Sequence, residues 1–192
     1  LDPAFRSGLQ DGNIVRAITQ RLVTVAPGGT GELVKDAAAE LTQTSPTTID
    51  FTLKPGQMFS DGFGEMTADD VKFSYERFIH PDASGKESPY KGEWANLKEV
   101  QVLDRLRGRI VMDRPRAGLF TIALGDVAGS ILCRRAVEQR GVEHNTRPVG
   151  SGPLMVTAFE KQRQVVMRRN PAYAGERSGF EEVAVRYVPD PK

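Results

Sequence analysis

The spacing of hydrophobic and polar positions changes several times along this chain, and each change marks a different element. Residues 48–54, TIDFTLK, alternate without a break. Ile49, Phe51 and Leu53 share one face, and Asp50, Thr52 and Lys54 share the other, which predicts a strand with one wet side. Pro55-Gly56 ends it, and Asp61-Gly62 makes the next tight turn. Val71, Tyr75 and Phe78 then recur at i, i+4 and i+7. That spacing predicts a helix from Ala68 to about Ile79, stopped by Pro81. Thr67, followed three residues later by Asp70, forms a capping box with Asp in place of the usual Glu.

The same reading extends in both directions. Upstream, Ile14, Ile18 and Leu22, with Val15 beside them, predict a helix over residues 11–22, with Asp11 or Asn13 as its cap. A loop through Pro27-Gly28-Gly29 and Gly31 follows. A short helix over 32–41 is expected to pack through Leu33, Ala37 and Leu41. Downstream, 80–94 is a polar loop, and 97–103 with 109–112 form an antiparallel pair turned through 104–108. Residues 120–124 make a short helix or strand, and 130–140 a helix ended by Gly141. Residues 155–159 and 165–169 are paired strands, 182–188 is a final strand, and Pro189-Asp190-Pro191 closes the chain. There is no internal repeat and no low-complexity tract. Strands and helices alternate irregularly, so the expected class is mixed α/β in two sub-lobes, not a strict βαβ series.

Composition narrows this only slightly. A chain of 192 residues makes one large domain or two small ones. Lys plus Arg is 26 against 25 for Asp plus Glu, so charge gives no reason to expect nucleic acid or an anionic membrane. No run approaches the ~18 apolar residues of a membrane span. The chain opens at Leu1 with neither a Met nor a basic, then apolar, leader, so it is expected to be a mature or excised segment. Cys133 is alone, which allows no intrachain disulfide and does not choose between periplasm and cytosol.

Candidate chemistry is sparse. His80 and His144 lie far apart and neither is spaced with Cys or Asp. A zinc site needs three or four converging ligands, so both are read as surface or turn histidines. Cys133 has arginines beside it but no general base nearby in sequence. Gly150-Ser151-Gly152-Pro153 lacks the G-x-S-x-G spacing of a nucleophile elbow and the extra glycines and Lys of a phosphate loop. It reads as a tight turn at a domain edge, with backbone approach to a ligand as the alternative. Five arginines fall between Arg105 and Arg116, without the interleaved aromatics of a single-strand groove, and read as a solvated hairpin face, with a patch for an acidic ligand or a partner as the alternative. Tyr90 and Trp94 sit in the 80–94 loop, where either local packing or a ligand accounts for them. The residues therefore offer no catalytic group, no metal site and no cofactor, and describe a soluble mixed α/β domain for binding.

Residues 51–77 carry a more specific signal. F-x-L-K-x-G, then F-S-D-G, then T-A-D-D-V-K-F-S-Y-E-R resembles the extracytoplasmic solute-binding proteins of family 5, the dipeptide, oligopeptide and nickel-binding group of ABC importers. Further pieces follow in the family's order: Leu1-Asp2-Pro3 with Arg21-Leu22-Val23, Val100-Gln101-Val102 with Arg109-Ile110-Val111, Pro148 to Pro153, and Arg169-Asn170-Pro171-Ala172-Tyr173. Thr19, Leu154 and Ala174 depart from the aromatic residues usual at those places.

The resemblance implies a periplasmic-binding-protein-like type II fold, here the first lobe with an inserted subdomain and without the second lobe. Residues 1–34 and 146–192 would belong to the ligand lobe and 35–145 to the insertion. It implies a non-catalytic, periplasmic receptor, monomeric, that hands peptide or small-molecule solute to ABC permease subunits and binds no nucleic acid. A cytoplasmic solute-sensing domain of a transcriptional regulator is the alternative, and a serine hydrolase using Ser151 a remote one. Ligand contacts in the family come from three places. They match the start of the first helix at Asp11, Gly12 and Asn13, the aromatic loop at Tyr90 with Trp94 nearby, and Asp126. Nickel-type members carry an arginine at the third place, so Asp126 implies a cationic or amine-bearing solute.

Overall fold

In the computed structural model, which describes residues 1–6, 8–26, 28 and 31–188, two apolar clusters organise the chain. The elements in order begin with α1 (Leu9–Ile18), β1 (Val23–Val25), β2 (Leu33–Lys35), β3 (Ala38–Ser45), β4 (Thr48–Leu53), β5 (Met58–Phe59), β6 (Gly64–Glu65) and α2 (Ala68–Glu76). There follow β7 (Leu97–Val102), β8 (Arg107–Met112), a π-helical segment Leu119–Leu124, α3 (Arg134–Arg140), β9 (Leu154–Glu160), β10 (Gln164–Arg169) and β11 (Glu182–Arg186). None of the helices is long and apolar enough to cross a membrane among the described residues.

The larger cluster forms on an antiparallel sheet of order β3-β4-β8-β7. The alternation seen in the sequence is fully expressed in β4, where Ile49, Phe51 and Leu53 are buried. α2 covers this sheet next to β7 and buries Val71 and Tyr75, with Phe78 just beyond its end. Its start is fixed by the expected capping box: Asp70 Oδ2 accepts from the Thr67 backbone N–H and hydroxyl, both at 2.9 Å. Asp70 Oδ1 also accepts from the backbone N–H of Arg134 at 2.9 Å, tying the start of α3 to the start of α2. Burial raises the Asp70 carboxyl despite these donors.

The smaller cluster lies between α1 and the antiparallel sheet β11-β10-β9. Ile14, Val15 and Ile18 pack there with Leu154, Val165 and Met167. The segment 148–153 crosses the end of α1 at very close range. Gly152 N–H donates to the Ile18 carbonyl at 2.9 Å, and the Ser60 N–H donates to the Gly150 carbonyl at 2.9 Å. A Cβ on Gly150 would lie 1.8 Å from the Ile18 carbonyl oxygen, so only glycine fits.

Several expectations need correction. Residues 32–41 form no helix; they are divided between β2, paired with β1, and β3, paired with β4. Between them, the Asp36 and Ala37 N–H groups donate to the carbonyls of Leu22 and Arg21 at 3.1 and 2.8 Å. α1 stops at Ile18, not at 22, because Thr19 turns extended. Leu22 then joins the larger cluster while Ile14 and Ile18 stay in the smaller one, so the expected single stripe serves two cores. Gly8 occupies the cap position of α1, and Asp11 lies inside its first turn, so neither Asp11 nor Asn13 caps it. Helix 130–140 is shortened to α3, with Cys133 as its cap residue. The expected closing turn at 189–191, and Pro27 and Gly29 of the first loop, lie outside the described residues.

Candidate functional site

The short turn Val127–Gly129, with Asp126 as its cap residue, is where two of the candidate residues, Gly12 and Trp94, make contact. From one side comes α1. Gly12 is buried against this turn, where a Cβ would stand 3.2 Å from Val127 Cγ2. One turn further along the helix, Arg16 donates through Nε to Asp126 Oδ1 at 3.0 Å, and through Nη2 to the same oxygen. That oxygen also accepts the Val127 N–H at 2.6 Å. From the other side comes the aromatic loop. Trp94 Nε1 donates to the Ala128 carbonyl at 2.9 Å, and Tyr75 OH to the Gly129 carbonyl at 3.3 Å. The two rings stack with centroids 4.3 Å apart.

This geometry sorts the six expected residues. Gly12 and Asp126 are brought to the contact between α1 and the 127–129 turn, while on the same helix Asn13 is exposed and Asp11 half-buried. Trp94 is corrected: at 0% exposure it is a core residue with its indole N–H already used, and it offers no face to a solute. Tyr90 is half-buried, and one face of its ring carries the Arg6 guanidinium 3.6 Å from the centroid. Arg6 in turn pairs with Glu93 and donates to the Pro3 carbonyl at 2.8 Å. Sequence reasoning missed Arg6 and Arg16. The available signal for Arg16 was its place on the polar side of α1, since nothing in linear spacing links it to a residue 110 positions away.

Beneath the Arg16–Asp126 pair lies a buried polar layer. Arg21 is 8% exposed, and its Nε and Nη1 have no hydrogen-bond partner among the described residues. Its Nη2 donates to Thr24 Oγ1 at 2.9 Å. Burial lowers its pKa, and the charges of Asp36, Arg16 and Asp126 all act on it. Asp36 accepts from the Arg21 backbone N–H at 2.8 Å and from Gln20 Nε2 at 3.1 Å, and burial still raises its carboxyl. Gln20 Nε2 also donates to Gln57 Oε1 at 2.7 Å.

The other candidates resolve as structure. Ser151 is 1% exposed and its hydroxyl has no hydrogen-bond partner among the described residues, whereas a nucleophilic serine needs a base within reach. His144 is not a surface residue. It is 3% exposed, Nε2 accepts the Val149 N–H at 3.2 Å, and burial lowers its pKa to about 4. Burial pushes the Cys133 thiol up, away from the reactive thiolate. Much of the basic run is also committed: Arg105 pairs with Glu65, Arg107 with Asp104, Arg109 with Asp50, and Arg116 donates to the carbonyls of Gly92 and Glu93. Among the described residues no group of three His, Cys, Asp or Glu side chains is placed to hold a metal ion.

Comparison with known proteins gives this arrangement its context. The family model described as bacterial extracellular solute-binding proteins, family 5 Middle, matches residues 32–192. The chain belongs to this family. It is 29% identical to Di/tripeptide-binding protein 2 of Pseudomonas aeruginosa (strain UCBPP-PA14), over 99% of this chain and 39% of that one. It is 28% identical to the probable D,D-dipeptide-binding periplasmic protein DdpA of Escherichia coli (strain K12), over 98% of this chain and 37% of that one. The solved binding protein MoaA from A. tumefaciens R10, in complex with mannopinic acid, superposes with a TM-score of 0.89 at 27% identity, over 98% of this chain and 38% of that one. Such superpositions make the mixed α/β fold that of the type II periplasmic binding proteins. The chain spans about two fifths of the length of these relatives.

Proposed function

We propose that this chain is the first part of an extracytoplasmic receptor that captures a peptide-like solute and delivers it to an ABC permease, without catalysing a reaction. The observation that carries this reading is the family 5 match over residues 32–192, joined by relatives whose names specify di- or tripeptides. Residues 1–34 and 146–192 form part of the ligand lobe, and 35–145 the inserted subdomain. The composition of the smaller core supports that division, whereas the larger one also takes in Ala4, Leu22, Val23 and Val149 from the outer segments. The smaller core draws on Leu1, Ile14, Val15, Ile18, Leu154, Val165 and Met167 from the outer segments, with Val127 from the middle one. Asp11, Asn13, Tyr90 and Asp126 form the solute-facing side, with Gly12 buried behind them against Val127. The site is then built from both parts, since Val127 and Asp126 reach it from the insertion.

Mass spectrometry of the solute retained by gently purified full-length protein tests the reading. A short peptide or peptide-like molecule is the expected finding. Retention of a nucleic acid, or turnover of an ester probe that disappears in Ser151→Ala, overturns it.

A further inference from the structure

β9 is an edge strand. The small sheet runs β11-β10-β9, so one side of β9 pairs with β10 and the other pairs with no strand among the described residues. An edge strand turns about half of its backbone N–H and C=O groups outward. None of the backbone groups of residues 155–159 bonds outside the β10 ladder among the described residues. Edges of this kind are normally blunted by Lys or Pro, or covered by another element. The strand reads LMVTAFE and contains neither residue. Its one irregularity is a bulge at Thr157, between the pairs Val156–Met167 and Ala158–Val166.

The outer edge of β9 forms one wall of a groove of about 430 Å³. Five consecutive residues, 155–159, line it. A strand met edge-on contributes consecutive residues, whereas a face contributes every second one. The opposite wall is Asp61, Arg140, Thr146, Arg147 and Pro148. That wall is held from within. Arg140 donates to Asp61 Oδ2 and to the Arg147 carbonyl, both at 2.6 Å, and the Arg147 N–H donates to the Glu143 carbonyl at 2.9 Å. The Arg147 side chain is exposed and has no hydrogen-bond or ion-pair partner among the described residues. Arg135 and Glu143 border the adjoining surface, so three arginines there face two carboxylates, Asp61 and Glu143. The groove therefore joins a row of unpaired backbone groups to a wall with an excess of positive charge.

We propose that β9 accepts an extended acidic segment of a partner protein as an added strand, with a carboxylate of that segment on Arg147. Backbone pairing along 155–159 supplies the attraction and Arg147 the choice of charge. Val156 and Phe159 already pack half-buried against the smaller core, so apolar side chains of the added strand extend that core sideways. Acidic side chains alternating with them reach the arginine wall. A second copy of this chain fits less well, because pairing two β9 edges brings two arginine walls together. The surface shares no residue with the contact between α1 and the 127–129 turn, and the proposal does not depend on which solute the receptor carries.

Fluorescence anisotropy tests this with the full-length protein and a fluorescein-labelled, C-amidated peptide, Val-Glu-Val-Glu-Val-Glu-Val. The same peptide with Lys in place of Glu, and the acidic peptide N-methylated at every second residue, are the comparisons. The acidic peptide is expected to bind, and each comparison peptide to bind about tenfold more weakly or worse. Arg147→Glu is expected to weaken the acidic peptide by a similar factor, and Arg147→Lys to restore most of the binding. Melting temperatures show whether each variant is folded. Absence of binding by the acidic peptide overturns the proposal, and so does equal binding of the Glu and Lys peptides. Binding that N-methylation leaves unchanged rules out an added strand. Binding that Arg147→Glu leaves unchanged assigns the peptide to another site, the solute cleft included, and overturns the proposal while the receptor reading stands. A dimer in sedimentation that Ala158→Glu breaks gives the edge to a second copy, and that also overturns it.

Discussion

At the scale of single residues, the side chains that seemed chemically promising are the ones most deeply involved in holding the fold. Trp94 and His144 are the clearest examples. Trp94 lies in a stretch rich in Gly and polar residues, which argues for exposure, yet long-range partners take it into the core at Tyr75 and Ala128. His144 is neutral when folded because burial, the largest effect, brings its pKa to about 4; Arg140, Arg77 and the chain's amino group push the same way and Asp2 opposes them. The sign of its pH effect follows. Below the ordinary value of 6.5, the unfolded chain takes up a proton that the folded imidazole refuses until about pH 4. The stability linked to His144 is thus intact above pH 6.5 and declines by on the order of 3 kcal/mol as pH falls through that window. Urea denaturation of wild type and His144→Gln at pH 7 and pH 4.5 checks this. The wild-type midpoint is expected to fall more than the variant's, and parallel falls would contradict it. The comparison also removes the buried Asp36 and Asp70, whose raised carboxyls shift stability in the opposite direction in both proteins.

At the scale of elements, legibility follows locality. β4 and α2 were readable because their periodicity, turn residues and cap all lie within about thirty residues and agree with one another. Residues 32–41 were not readable, for a definite reason. Leu33, Ala37 and Leu41 have helical spacing by coincidence, since Leu33 pairs with Val25 and Leu41 with Phe51 in different sheets. Register shifts in β3 between Ala38 and Glu40, and again between Gln43 and Ser45, also break the period-two signal. The site was half legible. Asp126 and the start of α1 came from family likeness, but Arg16 needed the three-dimensional contact. The crossing at 148–153 shows how strictly such contacts bind the sequence. Gly150→Ala forces a methyl group into the Ile18 carbonyl, at 1.8 Å in the unrelaxed geometry. It is expected to cost about 3 kcal/mol. A thermal melt of the full-length protein measures it, and a Tm within a degree of wild type would show that the crossing yields easily.

At the scale of the whole molecule, the decisive fact is that this chain spans about two fifths of relatives that share its fold over nearly all its length. The two cores give it the means to fold by itself, since each contains at least one sheet and one helix. Binding is a different matter. The Arg16–Asp126 pair is nearly half exposed, and nothing in this chain covers it from the far side among the described residues. Charge-assisted bonds in that setting compete with water and with salt, and each contributes little. Enclosure by a second surface removes the water, lowers the local dielectric and strengthens the same bonds. Residues 1–192 expressed alone are therefore expected to fold cooperatively and to bind the solute of the full-length protein no better than millimolar. Titration of that solute into both proteins, at low and high salt, decides the point. Micromolar binding by residues 1–192 would place the whole recognition surface within this chain and remove the need for closure.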